Sequence, residues 1–173
     1  GAGGPVDQDI ETTSAPSGEV NLSRPRRTDP ASVTPSPFDS ARQLAAMKMI
    51  DGMGGHVAPI SEGSPWVDVN LSLMRPPADD EQIRILTGLR ETLIWLNLGA
   101  TAITDAGLRD TVSGLTSLHR LRLDRTEIGD SGLAHLESLQ ALEVLNLFGT
   151  RVTDAGLDTI AGLSSLRVVY LWN

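Results

Sequence analysis

The sequence contains no cysteine, which removes disulfides, thiolate metal sites and cysteine nucleophiles from consideration. Aromatic side chains are scarce: three Trp, two Phe and one Tyr in 173 residues. Basic residues are outnumbered, with 14 Lys and Arg against 22 Asp and Glu, a formal net charge of −8 and a pI near 4.7. So acidic a chain is poorly suited to a phosphate backbone or an anionic membrane surface. No run of about 18 apolar residues is present that could span a bilayer, and no apolar signal-peptide core. The glycine cluster "GAGG" at the start lacks the following Lys-Ser/Thr of a phosphate loop. The three histidines, His56, His119 and His135, fall in unrelated phases of the pattern described below and are not expected to converge. Metal ligation, cofactor binding and His-based catalysis are therefore not expected, and no catalytic residue is assigned.

What is present divides into three parts. Residues 1–37 are rich in Gly, Pro, Ser, Thr and acids and carry no helical or strand period. Such sequence buries too little apolar area to offset its ordering entropy and reads as a disordered linker, with the basic cluster Arg24–Arg27 as solvated charge. Residues 38–66 read as an N-terminal cap. In "SARQLAAMKMIDGMGG", Ser40 with Gln43 fits a capping box, and Leu44, Met47 and Ile50 form an apolar stripe. Gly54 and Gly55 then stop the helix, and His56–Val57 is one arm of a possible hairpin. Residues 67–173 open with Val67, Val69, Leu71 and Leu73 alternating with polar residues, the signature of a half-buried strand.

From residue 93 the chain repeats itself. Leu93, Leu118, Leu142 and Leu166 recur at intervals of 25, 24 and 24 residues. Each unit continues Leu-x-x-Leu-x-Leu with a Thr three residues on, as in Leu93/Leu96/Leu98/Thr101, Leu118/Leu121/Leu123/Thr126 and Leu142/Leu145/Leu147/Thr150. The fourth begins Leu166/Val169/Leu171 and ends at Asn173. The extra residue of the first unit lies within 108–115, in its helical part. A degenerate earlier unit aligns Leu71 and Leu73 with the strand leucines, and Asp80, Ile83 and Leu89 with Asp154, Leu157 and Leu163. Within a unit, Leu-x-Leu points two side chains inward from a short strand. Ile103, Ile128 or Val152 then turns into the core, and Thr104-Asp105, Gly129-Asp130 or Thr153-Asp154 opens a helix. The Gly-Leu pairs at 107–108, 132–133 and 156–157 follow, with Gly allowing close backbone approach. No unit buries its leucines alone; stacking does so, through one parallel strand per turn.

The stretch "LNLFGTRVTDAGLDTIAGLSSLRVVYL" resembles bacterial leucine-rich repeats with a "Thr-x-Val/Ile-Thr-Asp-x-Gly-Leu" core, of the kind common in planctomycetes and similar to the repeats of F-box adaptors. The resemblance covers residues 38–173 and implies an α/β solenoid. A short parallel sheet occupies one face and helices the other, after a capping helix and hairpin, with about four turns plus a truncated fifth strand. It also implies a protein-binding role. Because the chain stops inside a repeat, it reads as a piece of something longer.

The Thr column 101/126/150 and the Asp column 105/130/154 read as structural rhythm rather than chemistry. Each Thr sits where the chain leaves the strand, where a hydroxyl satisfies backbone groups. The informative surface is the outer face of the sheet, whose side chains stack in columns across turns. The expected columns are Asn70/Trp95/Arg120/Val144/Val168, Ser72/Asn97/Arg122/Asn146/Tyr170 and Met74/Gly99/Asp124/Phe148/Trp172. Four of the six aromatics fall there, and aromatics and Arg are the residues enriched at binding hot spots. Trp95, Asn97, Arg120, Arg122, Asp124, Asn146, Phe148, Tyr170 and Trp172 are therefore the candidate partner-binding set. The expected function is a non-enzymatic protein-interaction module. The alternatives are a tethering segment of a larger surface protein, or an accessory domain of an enzyme lying outside the chain. The last repeat also offers an open strand edge for self-association.

Overall fold

The computed structural model describes residues 40–171. The expected linker, its Arg24–Arg27 cluster and Trp172 lie outside that range. The first helix, α1 (Ser40–Gly52), ends in two hydrogen bonds that define its stop. Gly55 N–H donates to Ile50 O and Gly54 N–H to Asp51 O, each at 3.0 Å, with Gly54 at φ +86°. This is the Schellman pattern, and it needs a left-handed residue at Gly54. The stripe of α1 differs from the expected one. Ala46 and Ile50 are buried and Met47 half-buried, but Leu44 is 53% exposed. A 3.6-residue period carries the Ile50 face back through Met47 and Ala46 to Gln43, leaving Leu44 a residue off it. Gln43 uses its side-chain Nε2 on Pro65 O, at 3.4 Å.

Two strands follow, β1 (His56–Pro59) and β2 (Val67–Asn70), paired antiparallel with Val57 opposite Val69. From β2 onward every neighbour is parallel: β3 (Leu93–Asn97), β4 (Arg120–Arg122), β5 (Val144–Asn146) and β6 (Val168–Tyr170). They form one six-stranded sheet in sequence order. Each crossover returns through short helix: a 3-10 helix over Gln82–Leu89, then α2 (Asp105–Asp110), α3 (Asp130–Leu133) and α4 (Asp154–Ile160). The architecture is an α/β solenoid of leucine-rich repeat type.

The core runs through the middle of the coil as the repeat predicts. Leu93, Leu98, Ile103, Leu108 and Leu115 are fully buried in one turn, and Leu118, Leu123, Ile128, Leu133 and Leu139 in the next. Each such side chain is worth about 1.5–3 kcal/mol of transfer free energy. The extra residue of the first unit is absorbed where α2 stops at Asp110 and a 3-10 turn begins at Val112. Thr111 sits between them at φ −126°, ψ −60°; its hydroxyl is buried and has no hydrogen-bond partner among the described residues.

The expected register of the first unit is corrected. Val69, not Leu71, pairs with Leu96, and Leu71 N–H donates to Asn97 O at 2.9 Å, level with Leu98. Leu71 remains buried, whereas Leu73 is 75% exposed and belongs to no strand. The chain gains two residues between Leu71 and Asp80. Ile83 and Leu89 nevertheless fall where the repeat places them, both buried.

The recurring phrase after each strand has a definite geometry. Ala100, Arg125 and Gly149 occupy the same step of successive turns, all left-handed at φ 54°, 57° and 66°. Only glycine adopts that conformation without a steric penalty. The next residue is the buried Thr, which folds its Oγ1 back onto the carbonyl three residues earlier. Thr101 donates to Leu98 O at 2.6 Å, Thr126 to Leu123 O at 2.6 Å and Thr150 to Leu147 O at 2.7 Å. The Asp column does more than favour its own helix start. Asp80 accepts from Thr104 N–H at 2.8 Å and from its hydroxyl at 2.6 Å, and Asp130 does the same for Thr153, both at 2.7 Å. Asp105 accepts from Gly129 N–H at 2.9 Å. Each carboxylate thus caps the helix of the following turn, tying turns together across 23 or 24 residues. These bonds to Thr153 hold the Asp130 carboxyl below the ordinary carboxylate range. Gly107, Gly132 and Gly156 are required for the same contact, because a Cβ at any of them would fall on that carboxylate.

Candidate partner-binding face

The sheet presents its outward side chains in columns set by strand pairing. With the corrected register the first column is Asp68, Trp95, Arg120, Val144 and Val168, and the second is Asn70, Asn97, Arg122, Asn146 and Tyr170. Asp68 thus takes the place expected for Asn70, and Asn70 the place expected for Ser72. The third column sits at the strand exits, with Gly99, Asp124 and Phe148 on successive turns. Met74, expected there, is 3% exposed and packs in the core instead. The first two columns enclose a shallow groove of about 460 Å³ running from Asp68 across Trp95, Arg120 and Arg122 to Tyr170.

The candidates fall into two groups by what their polar atoms do. Asn97, Asn146 and Asp124 are engaged internally. Asn97 Oδ1 accepts from Gly99 N–H and Asn146 Oδ1 from Phe148 N–H, each at 3.0 Å, and Asn70 does the same for Ser72 N–H. These Asx turns reverse the chain as it leaves the strand. Asn146 Nδ2 then reaches Asp124 Oδ1 at 3.4 Å, and Asn97 Nδ2 reaches Ser72 Oγ at 3.4 Å. Asp124 is 6% exposed and packs over Gly99, where a Cβ would lie 2.8 Å from its Oδ1. It also accepts from Arg122 Nε at 3.0 Å. These residues fix the face from below.

Trp95, Arg120, Arg122, Phe148 and Tyr170 make up the second group, in which Arg122 alone spends a donor, its Nε, on Asp124. Trp95 is half-buried, and Arg120 lays its guanidinium over the indole with Cζ 4.7 Å from the ring centroid. Arg125 lies over Phe148 at 5.9 Å. Phe148 is 41% exposed and Tyr170 56% exposed, a large apolar outlay for solvent-facing positions.

Asp68 is a groove residue that the sequence pattern missed. It is half-buried, and desolvation pushes its carboxyl above the ordinary range, opposed by the charge of His56. Its signal was the polar residue between Val67 and Val69, one pair earlier than the leucines that set the frame. The histidines stay apart in role: His119 Nδ1 stands 3.4 Å from Glu143 Oε1, and His56 lies on β1. Among the described residues no group of His, Asp and Glu is arranged to hold a metal ion, and no helix is long and apolar enough to cross a membrane.

A family model described as Leucine Rich repeat matches residues 114–136 and 138–161, the two turns that include β4 and β5. No curated protein matches the chain. Among solved structures, an internalin from Listeria monocytogenes is similar at 22% identity over 51% of this chain, with a TM-score of 0.38. The matched part spans 32% of that protein's length.

Proposed function

We propose that this leucine-rich repeat chain is a non-enzymatic protein-interaction module that engages its partner through the groove face of the sheet. The observation that carries this reading is the placement of Trp95, Arg120, Arg122 and Tyr170 on the outward side of strands β3, β4 and β6 of one sheet, with Phe148 exposed just after β5, in a chain with six aromatics in all. Aromatic side chains give large contact area at low entropic cost, and Trp, Tyr and Arg are enriched among the residues that dominate interface energetics. Asn97, Asp124 and Asn146 serve as the support that holds this set in place. In this reading residues 1–37 are a linker, residues 38–66 cap the first turn, and residues 67–173 form the solenoid of the planctomycete type.

A second contact is favoured by one observation. Among the described residues strand β6 is the last of the sheet, and Val168, Tyr170 and Leu171 there are 38–56% exposed. An edge of that character pairs with another chain, giving self-association alongside partner binding.

The test is partner capture by the immobilised chain compared with its Trp95→Ala/Arg122→Ala variant. The variant loses capture while staying folded, with a thermal midpoint lowered by no more than the loss of the Arg122–Asp124 bond, as Arg122→Ala alone reports. Undiminished capture by a folded variant would remove the groove face from consideration.

A further inference from the structure

We infer that the partner segment received by this face is acidic, with carboxylates placed on Arg120 and Arg125; this deepens the interaction reading above and rests on it. The turn through β4, "HRLRLDR" at 119–125, gathers four basic groups on one strip of a chain whose formal net charge is −8. Two are already engaged, Arg122 with Asp124 at 3.0 Å and His119 beside Glu143 at 3.4 Å. Arg120 and Arg125 are not: among the described residues neither has a carboxylate within the 4.0 Å of an ion pair. Each instead lies on an aromatic ring supplied by an adjoining turn, Trp95 from β3 and Phe148 after β5.

That arrangement suits an incoming carboxylate. A guanidinium stacked on a ring keeps its N–H donors in its own plane, where they form a fork for a bidentate acceptor. At 4.7 Å the Trp95 ring covers one face of the Arg120 guanidinium and restricts that side chain before the partner arrives, which reduces the ordering cost of binding; Phe148, at 5.9 Å, holds Arg125 more loosely. Asp124 and Arg122 between them are neutral in sum, so the net field of the strip comes from Arg120 and Arg125. On the other flank of the groove, Asp68 sets the polarity of the site. It stands two strands from Arg120, roughly 10 Å away by strand spacing, which is about one Debye length at 0.1 M salt. An acidic segment is therefore attracted at the β4 and β5 side and repelled at β2.

The experiment uses the full chain and four fluorescein-labelled peptides: hexaglutamate, hexaglutamine, hexalysine and a phosphoserine hexapeptide. Binding is read by fluorescence anisotropy at low and high salt. Hexaglutamate is expected to bind at least about tenfold more tightly than hexaglutamine at low salt and to weaken as salt rises. Arg120→Gln/Arg125→Gln, which keeps length and polarity, loses about tenfold of that affinity. Asp68→Asn, which removes the repelling charge, gains roughly threefold for hexaglutamate and loses affinity for hexalysine. Equal binding of hexaglutamate and hexaglutamine, tighter binding of hexalysine, an unaffected double Gln variant, or a tenfold preference for the phosphoserine peptide each overturns the inference. If Trp95→Ala/Arg122→Ala still abolishes partner capture while hexaglutamate fails, only the acidic chemistry falls. If capture survives that variant, the groove reading falls, and the acidic inference falls with it.

Discussion

Replacing Gly132 by alanine sets two effects of opposite sign against each other, and the structure decides between them. Gly132 lies within α3, where alanine is intrinsically favoured over glycine by about 1 kcal/mol. The added Cβ, however, meets Asp105 Oδ1, with Asp105 Cγ and Ile128 Cγ2 each at 3.0 Å. The carboxylate cannot simply turn aside, because Oδ1 is the acceptor for Gly129 N–H at 2.9 Å. Displacing it forfeits a hydrogen bond to a charged acceptor, worth about 1.5–3 kcal/mol, and leaves a helix N-terminal N–H without that partner. Ile128 is fully buried and gives little room on the other side. The balance is a net loss of about 0.5–2 kcal/mol. Urea denaturation followed by far-UV circular dichroism reads this as a lower midpoint at unchanged slope. Gly114→Ala is the control, since a Cβ there meets nothing within 4 Å, and it should stay within about 0.5 kcal/mol of wild type. The decisive measurement is the cycle with Asp105→Ala. Once the carboxylate is gone the alanine at 132 costs little or stabilises, so the two changes are strongly non-additive. A Gly132→Ala protein as stable as wild type, or strict additivity in the cycle, would refute the claim that the Gly column exists to admit the Asp of the preceding turn.

Three further outcomes follow from the same repeat geometry. Ala100→Gly relieves a left-handed non-glycine residue and raises stability by about 1 kcal/mol, whereas Gly149→Ala lowers it by a similar amount; equal midpoints for both would count against backbone strain there. The same substitution, Thr→Val, has opposite signs at two buried sites: at Thr126 it breaks the bond to Leu123 O and costs about 1–3 kcal/mol, while at Thr111 it removes an unpartnered hydroxyl and is neutral or stabilising by about 1 kcal/mol. Asp130 has a folded pKa below its ordinary 3.8, so its contribution is fully present above that value and is lost as pH falls through the folded pKa. Thermal midpoints measured from neutral pH down to about pH 2 should therefore drop less steeply below pH 4 in Asp130→Asn than in the parent, and identical slopes would contradict the linkage.

Much of this molecule is set by sequence alone. The 24- and 25-residue period fixes one strand and one short helix per turn, because Leu-x-x-Leu-x-Leu can be buried in every unit only by stacking the units in parallel. The inward leucines, the core-directed Ile103 and Ile128 and the buried Thr column all follow from that frame and lie where it puts them. So do Trp95, Arg120, Arg122, Phe148 and Tyr170 on the outward side, since strand side chains alternate. Tertiary structure alone decided two things. One is the register of β2. A slip of two residues keeps the same side chains facing inward, so the alternation Val67/Val69/Leu71/Leu73 fits either frame equally well. Only the pairing of Val69 with Leu96 selects between them, and that choice brings Asp68 into the groove, moves Asn70 one column along and sends Met74 into the core. The other is the partner of each Asp. A carboxylate at a helix start looks sufficient for its own helix. That Asp80, Asp105 and Asp130 instead cap the helix of the next turn depends on distances across the solenoid, which a one-dimensional pattern does not contain.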